Sequence, residues 1–176
     1  MDLLQLQQRL QGPALAPVNQ WQPAFCGELP LHIAADGRWF YQGSEIKRQP
    51  LIKLFASVLT CQQQQYYLQT PAEKIRITVE DAPFMLLTSQ WLDSPQGPVL
   101  QFSTNIDDDI LLSPRFPMRL NPETNLPYLY LWRGLSANIH RNLYYQLIEQ
   151  ATSVYCNGQQ HLQLKSAGYV YTLGIY

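Results

Sequence analysis

The chain has 176 residues; 46% are hydrophobic, 12% aromatic and only 14% charged, and 21 glutamines carry much of the polar surface. That length suffices for one good core or two small domains, and the apolar content excludes a disordered chain. A net charge of −1 and a pI near 6.3 leave no basic footprint, so neither a nucleic acid polymer nor an anionic membrane is an expected partner.

Residues 1–20 read as an N-terminal helical arm. Leu3, Leu6 and Leu10 fall on one face of a short amphipathic helix, and Gly12-Pro13 breaks it. Met1–Gln5 lacks the basic start and apolar run of a signal peptide, and no apolar stretch approaches the span of a bilayer. Cys26, Cys61 and Cys156 stand far apart with no C-x-x-C pair. The expected setting is the cytoplasm with reduced thiols, and no cofactor is expected.

Leu31–Ala35 and Arg38–Tyr41 flank Asp36-Gly37, a strong hairpin signal. Leu51, Leu54, Phe55, Val58 and Leu59 mark a helix with Pro50 in its first turn. Cys61–Gln65 reads as a polar connector. A central hairpin follows: a strand to Gln69, a turn over Thr70–Lys74, and a strand in which Ile75, Ile77 and Val79 alternate with polar residues. Strands are expected at 84–91, 99–103, 110–112, 118–121 and 128–132, with a turn at Asp93–Pro98. A long helix is expected from about Ala137 to Ser153, capped by Ser136 or Asn138. A hairpin turning at Ser166–Gly168 closes the chain.

The two halves rhyme. Ile46-Lys47-Arg48 and Ile139-His140-Arg141 head the two helices at one offset (141 − 48 = 93), and Leu54-Phe55 answers Leu147-Ile148. Leu68-Gln69 answers Leu162-Gln163 one residue further on (162 − 68 = 94). The expected fold is α+β, with two related subdomains, 21–83 and 84–176, each an antiparallel sheet with a packed helix.

These residues resemble the bacterial domain-of-unknown-function 1285 family. The likeness rests on Cys26-Gly27, Asp36–Arg48, Leu54–Leu59, Thr70–Lys74, Val79–Phe84, Pro127–Leu129, Arg133–Ala137 and Arg141–Tyr145. It implies a duplicated α+β core whose second half is similar to pleckstrin-homology-like folds. It also implies a ligand site at the subdomain interface, nucleotide-like in its chemistry, and a signalling role. The chain departs from the family's pattern at Cys61 and the glutamine run.

Arg48 and Arg141 start the two helices, where a cation opposes the helix dipole, so they are placed for another reason. Both suit bidentate capture of a phosphate or carboxylate; structural ion pairs with Glu73 or Asp81 are the plain alternative. Arg133, ahead of Gly134, is a further clamp candidate. Trp39, Tyr41, Tyr144 and Tyr145 offer faces for stacking, or are ordinary core aromatics. Thr70, Glu73 and Lys74 would border the cleft; a surface ion pair of Glu73 with Lys74 is the plain alternative. Asp107–Asp109, His32, His140 and His161 show no metal-ligand spacing, and Cys26 has no evident partner base. The expected function is a non-catalytic module holding a small, nucleotide-like anion, with Arg48, Arg141, Arg133, Trp39, Tyr144, Thr70, Glu73 and Lys74 as its binding residues. A protein-interaction adaptor and an enzyme using Glu73 or Asp81 as general base are the alternatives.

Overall fold

A computed structural model describes residues 16–176; the helix expected from Leu3, Leu6 and Leu10 lies outside them. The chain divides into two compact units. The first runs to Pro83 and also includes Arg133–Leu135; the second comprises Phe84–Trp132 and Ser136–Tyr176.

In the first unit, strands β1 (Phe25–Ile33), β2 (Trp39–Tyr41) and β3 (Ser44–Glu45) precede helix α1 (Gln49–Ser57). Strands β4 (Leu59–Gln62), β5 (Gln65–Gln69) and β6 (Lys74–Val79) follow it. They form one six-stranded sheet in the order β3-β2-β1-β6-β5-β4, antiparallel except where β1 meets β6 in parallel. The Asp36-Gly37 hairpin forms as expected: Leu31 faces Tyr41, Gly37 has φ +83°, and Arg38 N–H donates to Asp36 Oδ1 at 3.1 Å. Alternation along β6 buries Ile75 and Ile77. Phe55 of α1 is fully buried and stacks on Trp39 (centroids 6.4 Å apart), so the apolar faces of helix and sheet make one core. Buried Gln69 donates to the carbonyls of Val18 and Trp21 and so holds the start of the described chain against β5.

The expected polar connector Cys61–Gln65 is a correction. It is the β4–β5 hairpin, turning through Gln63 and Gln64 at φ +51° and +62°. Two consecutive positive φ values are what a tight hairpin needs, and glutamine carries no local signal for them.

The second unit begins with β7 (Phe84–Leu92), β8 (Val99–Thr104) and β9 (Asp109–Leu111). Then come β10 (Met118–Leu120), β11 (Pro127–Tyr130), β12 (Ser136–Ile139), α2 (Arg141–Gln150), β13 (Thr152–Cys156), β14 (Gln159–Ser166) and β15 (Tyr169–Ile175). One sheet has the order β10-β11-β12-β7-β8-β9 and the other β13-β14-β15. The helix expected from Ala137 to Ser153 is shorter at both ends. Ala137–Ile139 pair in parallel with Phe84–Leu86, and sheet pairing overrides helix propensity there. The cap is neither Ser136 nor Asn138 but His140, whose Nδ1 accepts from Asn142 N–H at 3.3 Å. Leu143 and Leu147 are the buried residues of α2.

The duplication is visible in the strand order. Three strands, a helix and three strands occur in both units, as β1-β2-β3-α1-β4-β5-β6 and β10-β11-β12-α2-β13-β14-β15. β1 pairs with β6, and β10 correspondingly lies beside β15, without a shared hydrogen-bond ladder. The strands β7-β8-β9 are an addition that pairs onto β12. Among the described residues no helix is long and apolar enough to cross a membrane.

Candidate functional site

The second unit contains a cavity of about 630 Å³ lined by Trp91, Asp93, Gln96, Gly97, Pro98, Lys165 and Gly168. Two turns build it. Asp93–Pro98 links β7 to β8, and Ser94 closes it by donating Oγ–H to the Gly97 carbonyl at 2.5 Å while that residue's N–H returns to the Ser94 carbonyl at 2.9 Å. The β14–β15 turn lies against it, with Ala167 N–H donating to the Pro98 carbonyl at 2.8 Å. Behind the turns, Ser166 is fully buried; its hydroxyl donates to Leu112 O (2.9 Å) and accepts from Leu100 N–H (3.0 Å). The walls are therefore fixed by backbone bonds and the hydroxyls of Ser94 and buried Ser166.

Three side chains give the cavity its chemistry: Trp91, Lys165 and the carboxylate of Asp93. Trp91, near the end of β7, donates its indole N–H to Gln150 Oε1 at 2.8 Å, which orients the ring and leaves it 42% exposed. Lys165, one residue before Ser166, brings an ammonium group. A fixed aromatic face and a cation in one opening suit a planar ligand that carries negative charge.

The residues expected from sequence are distributed as follows. Arg48 is the exposed N-cap residue of α1, with its backbone carbonyl accepting from Leu51 and Ile52 N–H. Arg141 opens α2, where its guanidinium lies over Tyr145 (5.5 Å) and its Nε–H donates to that residue's hydroxyl at 3.1 Å. Arg133 is half-buried at φ +56° in the first unit. Its guanidinium donates to the carbonyls of Ser57 (2.6 Å) and Ala16 (2.5 Å). It thus satisfies the C-terminal end of α1, where a cation is favoured. Burial pushes its pKa down from the usual arginine value.

Trp39 needs correcting as a stacking residue: it is 1% exposed and its face is spent on Phe55. Thr70 is buried, and its Oγ accepts from the N–H groups of Ala72 and Glu73, so it shapes the turn rather than facing outward. Glu73 is half-buried in that turn, and Asp81 is exposed. Lys74 lies 4.2 Å from the Tyr67 ring and bonds the Gln62 amide. Tyr144 is half-buried with its hydroxyl 3.5 Å from that of Tyr176; burial first, then this neighbour, pushes its pKa up to about 12. Thr70, Glu73 and Lys74 thus share one turn of the first unit, while Arg141 and Tyr144 share the first turn of α2.

Sequence reasoning missed Trp91 and Lys165. Both turns were legible, but nothing in the sequence brings Pro98 to Ala167. The available signal was a tryptophan at a strand end beside a proline- and glycine-containing turn.

Comparison with known proteins places residues 16–173. Residues 16–82 match the N-terminal domain, and 83–173 the C-terminal domain, described as DUF1285, of unknown function. The crystal structure of a DUF1285 family protein from Silicibacter pomeroyi DSS-3 is similar, at 33% identity and a TM-score of 0.84 over 98% of this chain and 94% of that one. Another, from Shewanella baltica OS155, is 33% identical with a TM-score of 0.58, over 69% of this chain and 92% of that one. No curated protein matches.

Proposed function

Since the chain belongs to the DUF1285 family, whose matched descriptions give no activity, we propose from its geometry that it is a non-catalytic binding module for a small planar anion of nucleotide type. The observation that carries this is the pairing of Trp91, held by Gln150, with Lys165 in one cavity of about 630 Å³. That volume lies within the range of roughly 300–1,000 Å³ for small-molecule sites. The base stacks on the indole, and the phosphate meets the ammonium group. The lining supplies an indole, an ammonium group and one carboxylate as recognition groups. We further propose that it works in the cytoplasm as a ligand-responsive signalling component, with Cys26, Cys61 and Cys156 as free thiols.

The test is calorimetric titration and thermal shift with the nucleoside monophosphates, the matching nucleosides and ribose 5-phosphate. A monophosphate should bind and quench tryptophan fluorescence; at 100 times its Kd it should stabilise the fold by about 2.7 kcal/mol. Trp91→Ala and Lys165→Gln should each weaken it about tenfold. Equal binding of ribose 5-phosphate, or nucleotide binding indifferent to both substitutions, would rule the reading out.

A further inference from the structure

The first unit has a cavity of its own, where β1 and β6 lose register. Glu28 pairs with Arg76 and His32 with Thr78, so four steps along β1 match two along β6 (32 − 28 = 4; 78 − 76 = 2). The surplus residues bulge out of the ladder. Beside the bulge a cavity of about 330 Å³ opens, with Glu28, Gln65, Tyr66, Arg76 and Thr78 among its lining.

Its charges are opposite and adjacent. Arg76 Nη2 forms an ion pair with Glu28 Oε1, and both side chains are partly exposed. Arg76 Nη1 also reaches Gln65 Oε1 at 3.5 Å. Arg76 and Glu28 are the two charged residues of the lining. A lone anion approaching Arg76 would meet Glu28 beside it, and a lone cation approaching Glu28 would meet Arg76. A ligand carrying both charges can satisfy both at once. The remaining lining is neutral: the amides of Gln64 and Gln65, the Tyr66 phenol and the Thr78 hydroxyl stand beside Leu29, Ile77 and Val79.

We propose that this cavity binds a zwitterionic α-amino acid with a short polar side chain. Its carboxylate sits on the Arg76 guanidinium and its ammonium group on the Glu28 carboxylate. The planar guanidinium presents two parallel N–H donors to a carboxylate, the geometry that favours arginine over lysine. Gln65 and Thr78 then meet the ligand's side chain. The site is separate from the cavity at Trp91 and stands or falls independently of it.

The deciding experiment is calorimetric titration of the full chain with the proteinogenic amino acids. Glutamine is compared with N-acetylglutamine, which keeps only the carboxylate, and with glutaminamide, which keeps only the ammonium group. Polar amino acids should bind, and each single-charge analogue should bind about tenfold more weakly or worse. Arg76→Gln and Glu28→Gln should each cost a similar factor. Because the ion pair is exposed, both variants should fold and melt like the parent. The double exchange Glu28→Arg with Arg76→Glu keeps both charges across the seam and should keep binding. The proposal is overturned if no amino acid binds at millimolar concentration, if N-acetylglutamine binds as tightly as glutamine, or if Arg76→Gln leaves the affinity unchanged. Should a variant fail to fold, the analogue titrations on the unaltered chain decide alone.

Discussion

The two units use the same succession of strands and helix and close it differently. In the first, β1 and β6 share a parallel ladder, and the six strands make one sheet. In the second, β10 and β15 lie side by side without that ladder, and the edge at β12 is taken by β7. Duplication has therefore kept the helix-on-sheet core and changed the seam. The cavities follow the changes. The first unit's lies at the bulge that its ladder tolerates, and the second's lies between turns next to the added strands. Equivalent positions have different surroundings: Arg48 and Arg141 share an offset, yet Arg48 is an exposed cap residue while Arg141 is laid on Tyr145.

The sharpest way to break the comparison is at Arg133-Gly134, a device of the first unit. A Cβ built on Gly134 would lie 2.6 Å from the Cys61 carbonyl oxygen, and its φ of +70° already disfavours any side chain. Gly134→Ala should destabilise the first unit by about 3 kcal/mol, since backbone must move to relieve the clash. Arg133→Ala should cost somewhat less, about 2 kcal/mol, by stranding the Ser57 carbonyl; that of Ala16 keeps the Val18 N–H at 2.8 Å. Urea unfolding followed by hydrogen exchange checks both. Loss of protection should appear first in β4 and α1; a uniform loss throughout the chain would contradict the assignment of this segment to the first unit.

The second unit's counterpart is Ser166. Ser166→Ala removes one hydroxyl that serves both Leu100 N–H and Leu112 O, leaving two buried backbone groups unpaired. A loss of about 2 kcal/mol is expected from urea titration. Ser166→Cys, which keeps a weak donor of similar shape, should recover part of it. If alanine costs nothing, the Ser166 bridge does not stabilise this unit.

What was legible in sequence was local or repeated. Asp36-Gly37 announced its turn because glycine there takes a positive φ, and Ile75 and Ile77 announced their face by alternation. The offset between Arg48 and Arg141 announced the duplication. What stayed hidden depended on partners far away. Gln63-Gln64 turns tightly because β4 and β5 pair around it. Ala137–Ile139 is strand because Phe84–Leu86 lies alongside. Trp39 looked available because its partner Phe55 arrives from the helix. The cavity in the second unit was hidden on the same ground: Trp91 and Lys165 are 74 positions apart (165 − 91 = 74), and the Ala167–Pro98 contact shows why they share it.

The smallest expected effect tests whether the units respond alike to alkali. Burial, and then Cys61, pushes the Tyr66 phenol up to about 12; burial, and then Tyr176, does the same to Tyr144. An unfolded tyrosine titrates near 10, so each folded phenol holds its proton more tightly than the unfolded chain does. That contribution is fully present below about pH 10 and is lost as pH rises through about 12. Partial exposure of both side chains limits the size of each contribution through solvent screening. Tyr66→Phe and Tyr144→Phe should therefore each flatten the alkaline limb of the stability–pH curve without moving its acid limb, and the double variant should add the two effects. Phenolate absorbance during the titration reports the same transitions directly. If Tyr66→Phe flattens the limb and Tyr144→Phe does not, neither burial nor the Tyr176 hydroxyl at 3.5 Å holds the Tyr144 proton, and the two phenols are unlike.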